Sequence, residues 1–171
     1  LGYEIPGEYP VTEIIQELKR NCMVGVAKGR AEFGPRALGN RSFLADPSLL
    51  DIKDIVNKVK GREEFRPFAP MILKEDADTY FESGIPSPFM NTIRKAKQET
   101  IEKYPGIVHL DGTSRLQEIT EEPHRTLLQE WKKETGCPML LNTSLNVKGQ
   151  PIINNETEAK QFETKTGVKV L

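Results

Sequence analysis

The chain has 171 residues, 24 Lys and Arg against 25 Asp and Glu, a formal net charge of -1 and 37% hydrophobic side chains. A chain of this size can bury roughly 70% of its unfolded surface, so neither disulfides nor a structural metal is needed to hold it. Its longest apolar runs, such as Pro138-Met139-Leu140-Leu141, fall far short of the ~20 residues of a membrane span, and no secretory pattern opens the chain, so the expected location is the cytoplasm. The first residue is Leu1 rather than Met, which points to a piece of something longer. Cys22 and Cys137, far apart and beside apolar residues, read as buried thiols.

Between Pro10 and Asn21 the residues Val11, Ile14, Ile15 and Leu18 follow helical spacing, and Cys22 to Ala27 follows as an apolar strand. Residues 42–45 predict a second short strand. Asp46 or Asp51 can cap the next helix, whose Ile52, Ile55, Val56 and Val59 form one stripe ending near Gly61. Phe68 to Leu73 predicts a third strand, placed at an edge or incoming position because of Pro67 and Pro70. Asp76 to Phe81 reads as a short helix. Phe89 to Ile93 and Val108 to Thr120 read as strands and antiparallel neighbours, with the Lys-, Glu- and Gln-rich stretch 91–107 expected to be a mobile insertion. Pro123 opens a helix through Leu127, Leu128 and Trp131 to a stop at Gly136, followed by a strand over Met139 to Leu141. Asn155 with Glu158 three residues on caps a last helix to about Thr164, and Val168 to Leu171 reads as a final strand. Without repeats, linkers or a strict βαβ rhythm, the pattern predicts one α/β domain, residues 1–171, with a mixed sheet.

Charge is balanced globally and lopsided locally. Nine Lys or Arg and six Asp or Glu lie between Lys28 and Arg66, a balance of +3 against -4 in the remainder. Five of the nine arginines (Arg30, Arg36, Arg41, Arg62, Arg66) fall in that stretch, and the planar guanidinium fork suits phosphate oxygens. An anion held at one place fits this better than a general nucleic-acid surface, which would be basic overall. A solvated charged face is the alternative.

Residues 29–46 pack three glycines, a proline and three arginines between two strands. Either Pro35 starts a short helical segment whose free amides meet an anion, with Arg36 and Arg41 adding charge, or the arginines pair with Glu32 and Asp46 and brace the loop. At Lys60-Gly61-Arg62-Glu63-Glu64-Phe65-Arg66-Pro67-Phe68 a helix end gives way to a strand. The helix dipole accounts for Lys58 and Lys60, whereas Arg66, flanked by Phe65 and Phe68, needs a carboxylate or a ligand anion. The strand at Leu140-Leu141 runs into Asn142-Thr143-Ser144-Leu145-Asn146, either a polar turn or the kind of strand end where open α/β sheets bind ligands. Ser144 reads as a phosphate or hydroxyl contact rather than a nucleophile, since no Gly-x-Ser-x-Gly surrounds it and neither histidine is near in sequence. Arg115, after the Asp111-Gly112 turn, is either surface or site. His109 and His124 have no metal-ligand spacing, so no metal site is expected.

Four motifs in one order (Gly29 to Asp46; Arg62-Glu63-x-Phe65-Arg66-Pro67-Phe68-Ala69-Pro70; His109-x-Asp111-Gly112-Thr113-x-Arg115-x-Gln117; Leu141-Asn142-Thr143-Ser144-x-Asn146) closely resemble the C-terminal domain of the NodU/CmcH-type O-carbamoyltransferases. The resemblance covers nearly the whole chain. It implies a YrdC-like fold, an open twisted mixed sheet flanked by helices, joined in the full-length protein to an N-terminal Kae1-like domain that this chain does not carry. It also implies a reaction in which carbamoyl phosphate and ATP give carbamoyladenylate and pyrophosphate, the carbamoyl group then passing to an acceptor hydroxyl in the Kae1-like part. The family's Lys-x-Arg-x-x-x-x-Pro and Ser-x-Asn elements fall here on Lys60, Arg62 and Pro67 and on Ser144 and Asn146. On that footing Lys60, Arg66 and Arg36 are expected to meet the phosphates, with Arg115, Ser144, Asn146, Arg41, Arg62 and Asn142 completing the nucleotide cradle. Mg²⁺ is expected to travel with ATP rather than in a dedicated cage. A non-catalytic module binding RNA or a nucleotide is the alternative, although the net charge argues against nucleic acid; a domain that only supports its neighbour is a third. The acceptor and the oligomeric state, a homodimer included, are left open.

Overall fold

The computed structural model describes residues 3–171. In chain order the elements are β1 (Glu4–Ile5), α1 (Val11–Asn21), β2 (Met23–Ala27), β3 (Gly29–Arg30), β4 (Arg41–Ala45), α2 (Ile52–Lys60), β5 (Ala69–Leu73), α3 (Lys74–Tyr80), β6 (Arg94–Lys95), α4 (Gln98–Lys103), a 3₁₀ turn (Pro105–Ile107), β7 (Thr113–Ser114), β8 (Gln117–Ile119), α5 (His124–Thr135), β9 (Met139–Ser144) and α6 (Glu156–Thr166). The main sheet has the order β2-β4-β9-β5-β8. Its first three pairings are antiparallel and the last, β5 with β8, is parallel, so the sheet is mixed as expected.

Continuous apolar runs suit these strands to a sheet buried on both faces. Val24, Val26, Phe43, Leu44, Met71, Ile72, Leu140 and Leu141 are fully buried, as a sheet covered by helices requires. Helices α1 and α5 pack on each other, α1 also against β2 and α5 against β5 and β9. Trp131 of α5 is buried and donates from Nε1 to the Met139 carbonyl at 3.2 Å, so a large apolar ring is sunk without orphaning its N–H. The helix α6 meets the sheet through Phe162, edge-on to Phe43 with ring centroids 6.1 Å apart. Its start is a reciprocal cap: Asn155 Oδ1 accepts from the Glu158 amide at 3.0 Å, and Glu158 Oε2 accepts from the Asn154 amide at 2.6 Å.

Several expectations are corrected. The strand β5 lies inside the sheet, between β9 and β8, rather than at an edge. Pro70 is tolerated because it faces Leu141 on β9 while the pairing with β8 begins only at Met71. Residues 89–93 form no strand; the antiparallel pairing with the later segment is carried instead by β6 and β7, Arg94 opposite Ser114. The stretch 91–107 is folded, not a loose insertion: it contains β6, α4 and the 3₁₀ turn, and buries Arg94, Thr100, Tyr104 and Ile107. Its few apolar residues suffice because Arg94 forms an ion pair with Glu118 under the surface and Thr100 Oγ1 donates to the Tyr80 carbonyl at 2.5 Å. Asp51 occupies the cap position of α2 but makes no side-chain cap bond, and Asp46 instead accepts from the Ser48 amide at 2.9 Å. At the end of the chain the Val170 region runs parallel to β2 through a single bridge to Gly25, whose lack of a side chain admits it: a Cβ there would lie 2.8 Å from Val170.

The topology concentrates loops at one end of the sheet. Strand β9 ends where β4 and β5, antiparallel to it, begin, with Ser144 opposite Ser42 and Asn142 opposite Ala69. Strand β8, parallel to β5, begins at that same end. The loops before β4, β5 and β8 therefore converge on the polar tail of β9, although they come from residues 31–40, 61–68 and 115–116.

Candidate functional site

A cleft of about 110 Å³ opens at this convergence, walled by Arg36, Arg62 and Arg115 and floored by Asn142, Thr143 and Ser144, with Pro35, Ala37, Pro67, Phe68, Ala69 and Met90 completing it. Three guanidinium groups share it, and no carboxylate among the described residues lines it. Arg36 is exposed, and neither it nor Arg115 forms an ion pair among the described residues. Arg115 Nε is buried without a hydrogen-bond partner among the described residues, and burial together with the Arg36 charge lowers its pKa. Two cations that raise each other's cost favour an anion between them.

Arg62 is held rather than free. Its Nε donates to Asn57 Oδ1 at 2.6 Å, and its guanidinium lies 4.3 Å from the Phe68 ring centre. Burial, with the charge of Arg66, brings its pKa down to about 10, Glu63 opposing. Asn57, fully buried, donates to the carbonyls of Glu64 and Arg66 at 2.9 and 3.0 Å and so shapes the whole 61–67 turn. Gly61, with φ 64°, lets α2 stop just before it.

Lys60 does not line the cleft. It is 2% exposed, lies under the end of β9, and donates from Nζ to the Ser144 carbonyl, to the Asn146 carbonyl at 2.9 Å and to Asn146 Oδ1 at 3.1 Å. Ser144 Oγ donates to the same Oδ1 at 2.6 Å. Lys60, Ser144 and Asn146 are thus one linked unit. Burial, and then the Arg62 charge, brings the Lys60 pKa down to about 7. Arg66 does not line the cleft; it is half exposed with Glu63 as its partner, Nε to Oε2 3.0 Å, so the carboxylate its apolar neighbours call for is local. Glu63 also accepts from Lys148 at 2.8 Å; that hydrogen bond comes first among the influences that hold its carboxyl down at about 2.

Arg41 is corrected outright as a ligand contact. It is fully buried, and its five N–H groups go to the carbonyl oxygens of Tyr3, Lys28, Gly29, Asn40 and Asn154. It stitches the loop, β1 and the segment before α6 together. The segment after Pro35 is no helical turn either. Glu32 Oε1 accepts from the amides of Leu38 at 2.7 Å, Asn40 at 2.8 Å and Arg41 at 3.3 Å, so a carboxylate of the chain occupies the amides that an anion was expected to meet. Glu32, Asn57 and Gln117 are the residues that sequence reasoning missed as builders of the site. Glu32 and Gln117 stood inside quoted motifs; Asn57, on the buried side of an ordinary amphipathic helix, gave no signal.

Two further hollows adjoin the cleft. One of about 290 Å³ shares Pro67 and is lined by Lys53, Phe65, Val108, His109, Leu110 and Asp111. The other, about 350 Å³, shares Pro35 and reaches Asn146 and Asn154. Cys137 is buried and Cys22 half-buried, both as free thiols. No helix among the described residues is long and apolar enough to cross a membrane.

An arginine-walled cleft at one end of a helix-flanked mixed sheet is the class of site that fold and geometry define. The family described as carbamoyltransferase C-terminus matches residues 15–171. The chain belongs to that family. It is 42% identical over 151 residues to nodulation protein NolO of Bradyrhizobium diazoefficiens, covering 83% of this chain and 27% of that protein. It is 43% identical over 143 residues to nodulation protein U of Rhizobium tropici, covering 82% and 25%. The chain therefore spans about a quarter of the length of these relatives. Among solved structures, full-length HypF in its phosphate- and nucleotide-bound form superposes with a TM-score of 0.69 at 19% identity, over 94% of this chain and 24% of that one. The HypF of T. kodakarensis gives 0.65 at 16% identity, over 95% and 20%. The YrdC-like architecture expected from the motifs is the fold observed.

Proposed function

We propose that this chain supplies the carbamoyl-activating site of a larger O-carbamoyltransferase, binding carbamoyl phosphate and ATP at the arginine cleft and forming carbamoyladenylate. The observation that carries the reading is the convergence of Arg36, Arg62 and Arg115 on a cleft without a carboxylate. Two polyanions have to be brought together against their mutual repulsion, and adenylyl transfer depends chiefly on positioning and charge stabilisation. The cleft's volume suits the phosphoryl and carbamoyl groups, and the adjoining hollows leave room for a nucleoside.

Water releases phosphate from carbamoyl phosphate, leaving carbamate; a carbamate oxygen bonds to the α-phosphorus of ATP, and the bond to the β-phosphate oxygen breaks, releasing pyrophosphate. Arg36 and Arg115, unpaired, bind phosphate oxygens, and Arg62, fixed by Asn57 and Phe68, offers its remaining N–H groups in a set direction. Lys60 and Asn146 hold Ser144 at the floor. Arg66 joins only by leaving Glu63. Since no lining residue is a carboxylate, Mg²⁺ would be held by the ATP phosphates, screening their charge. Transfer to the acceptor belongs to the N-terminal part of the full-length protein.

Calorimetric titration of ATP with Mg²⁺, with and without carbamoyl phosphate, tests the reading. Saturable binding of both to one site, lost together in an Arg36→Ala, Arg115→Ala double variant that still folds, is the expected result. Undiminished binding in that variant contradicts it.

A further inference from the structure

Asn142 is 1% exposed, yet its Oδ1 has no hydrogen-bond partner among the described residues. The way its amide faces is dictated by its neighbours. Nδ2 donates to the Ala37 carbonyl at 3.2 Å and to Gln117 Oε1 at 2.7 Å, and Gln117 Nε2 donates in turn to the Leu38 carbonyl at 2.7 Å. Both main-chain oxygens can only accept, so turning either amide over would set oxygen against oxygen. The unpartnered atom is therefore an acceptor by necessity, on a residue that floors the cleft. Burying an acceptor without a donor is costly, and natural interiors rarely do it without a reason.

The cleft's other polar groups are chiefly guanidinium donors, suited to an anion. A ligand that also satisfies Asn142 has to carry N–H or O–H beside its phosphate. Carbamoyl phosphate has that form: a phosphate at one end and an –NH2 at the other. We propose that Asn142 Oδ1 accepts from the carbamoyl –NH2 and so selects carbamoyl phosphate over acyl phosphates of the same shape. The assignment rests on the anion-cleft reading above. Acetyl phosphate places a methyl group where the –NH2 would be, leaving Oδ1 buried and unpaired; sites built around such a hydrogen bond reject the analogue that lacks it.

The test is competition between fresh carbamoyl phosphate, acetyl phosphate and inorganic phosphate for the full chain. The unaltered protein should prefer carbamoyl over acetyl phosphate by about tenfold to a hundredfold, and Asn142→Ala should bring that ratio to about one. The comparison in the unaltered protein stands even if the variant fails to fold. Binding of all three ligands with carbamoyl and acetyl phosphate equal overturns the Asn142 assignment and leaves the anion cleft intact. Binding of none overturns both. A variant that keeps the carbamoyl preference but loses discrimination between ATP and inosine triphosphate also overturns the assignment, moving Asn142 to the adenine amine.

Discussion

Lys60 reaches across 86 residues of sequence to Asn146, donating to its carbonyl oxygen at 2.9 Å and to its Oδ1 at 3.1 Å. The bond joins the end of α2 to the end of β9, the two places where the motif residues gather. Burial brings this ammonium's pKa down to about 7 from an ordinary 10.5. Below pH 7 it is protonated in both the folded and the unfolded chain, and the burial penalty is complete. Between about 7 and 10.5 the unfolded chain binds more protons, so stability should rise with pH, by at most about 1.4 kcal/mol per pH unit for one proton. Denaturant unfolding of the wild type and Lys60→Met across pH 7 to 9.5 measures it. The wild type should gain on the variant as pH rises; a constant difference means that the group keeps its proton throughout.

Arg36 is exposed and forms no ion pair among the described residues, so its loss should leave the fold alone and weaken anions. Arg36→Ala should melt within about 0.5 kcal/mol of the wild type while losing about tenfold to a hundredfold in affinity for carbamoyl phosphate. Equal affinity in the variant removes Arg36 from the site. Calorimetry at two salt concentrations adds a check, since the wild type should show the steeper dependence.

Glu32 lines the adjoining 350 Å³ hollow rather than the arginine cleft, and it holds the Leu38, Asn40 and Arg41 amides through one oxygen. Glu32→Ala strands those donors, which should cost about 1 to 3 kcal/mol and weaken anion binding by letting the Arg36 loop drift. Glu32→Gln keeps an acceptor and should restore most of both. Amide hydrogen exchange at Leu38 and Asn40 reads the loop directly: fast exchange in Glu32→Ala, and protection in the wild type and Glu32→Gln.

Gly39 has φ +130°, and a Cβ there would lie 2.1 Å from His124 Nε2. Both the backbone and the histidine resist a side chain, so Gly39→Ala should destabilise by more than about 2 kcal/mol. His124→Ala removes the clash but not the strain, and the double variant should recover only part of the loss. Thermal unfolding of the three variants separates the two effects.

The helices and central strands were legible because their apolar spacing is strong: Val11 to Leu18, Ile52 to Val59 and Leu127 to Trp131 each present one face, and each became a buried face. Where charge dominates the composition, the reading failed. Residues 91–107 looked loose because the pairing of Arg94 with Glu118 joins positions 24 apart, and nothing local announces it. Pro70 suggested an edge because sequence does not reveal that β8 starts one residue later. The motifs did locate five cleft residues, Arg36, Arg62, Arg115, Asn142 and Ser144. What residue type could not separate was an arginine that lines the cleft from one that satisfies the chain's own carbonyls. Arg36 and Arg41 stand five apart in one motif with opposite fates, because Arg41 begins a central strand and turns inward while Arg36 rides the loop above it.

The most direct measurement is carbamoyl-phosphate-dependent exchange of labelled pyrophosphate into ATP by the full-length protein, in the wild type and in Arg115→Ala. Exchange that requires carbamoyl phosphate in the wild type and falls by at least about tenfold in a folded Arg115→Ala variant is the expected result. Exchange that persists undiminished in the variant, or its absence in a folded wild type that binds both ligands, contradicts carbamoyladenylate formation at this cleft.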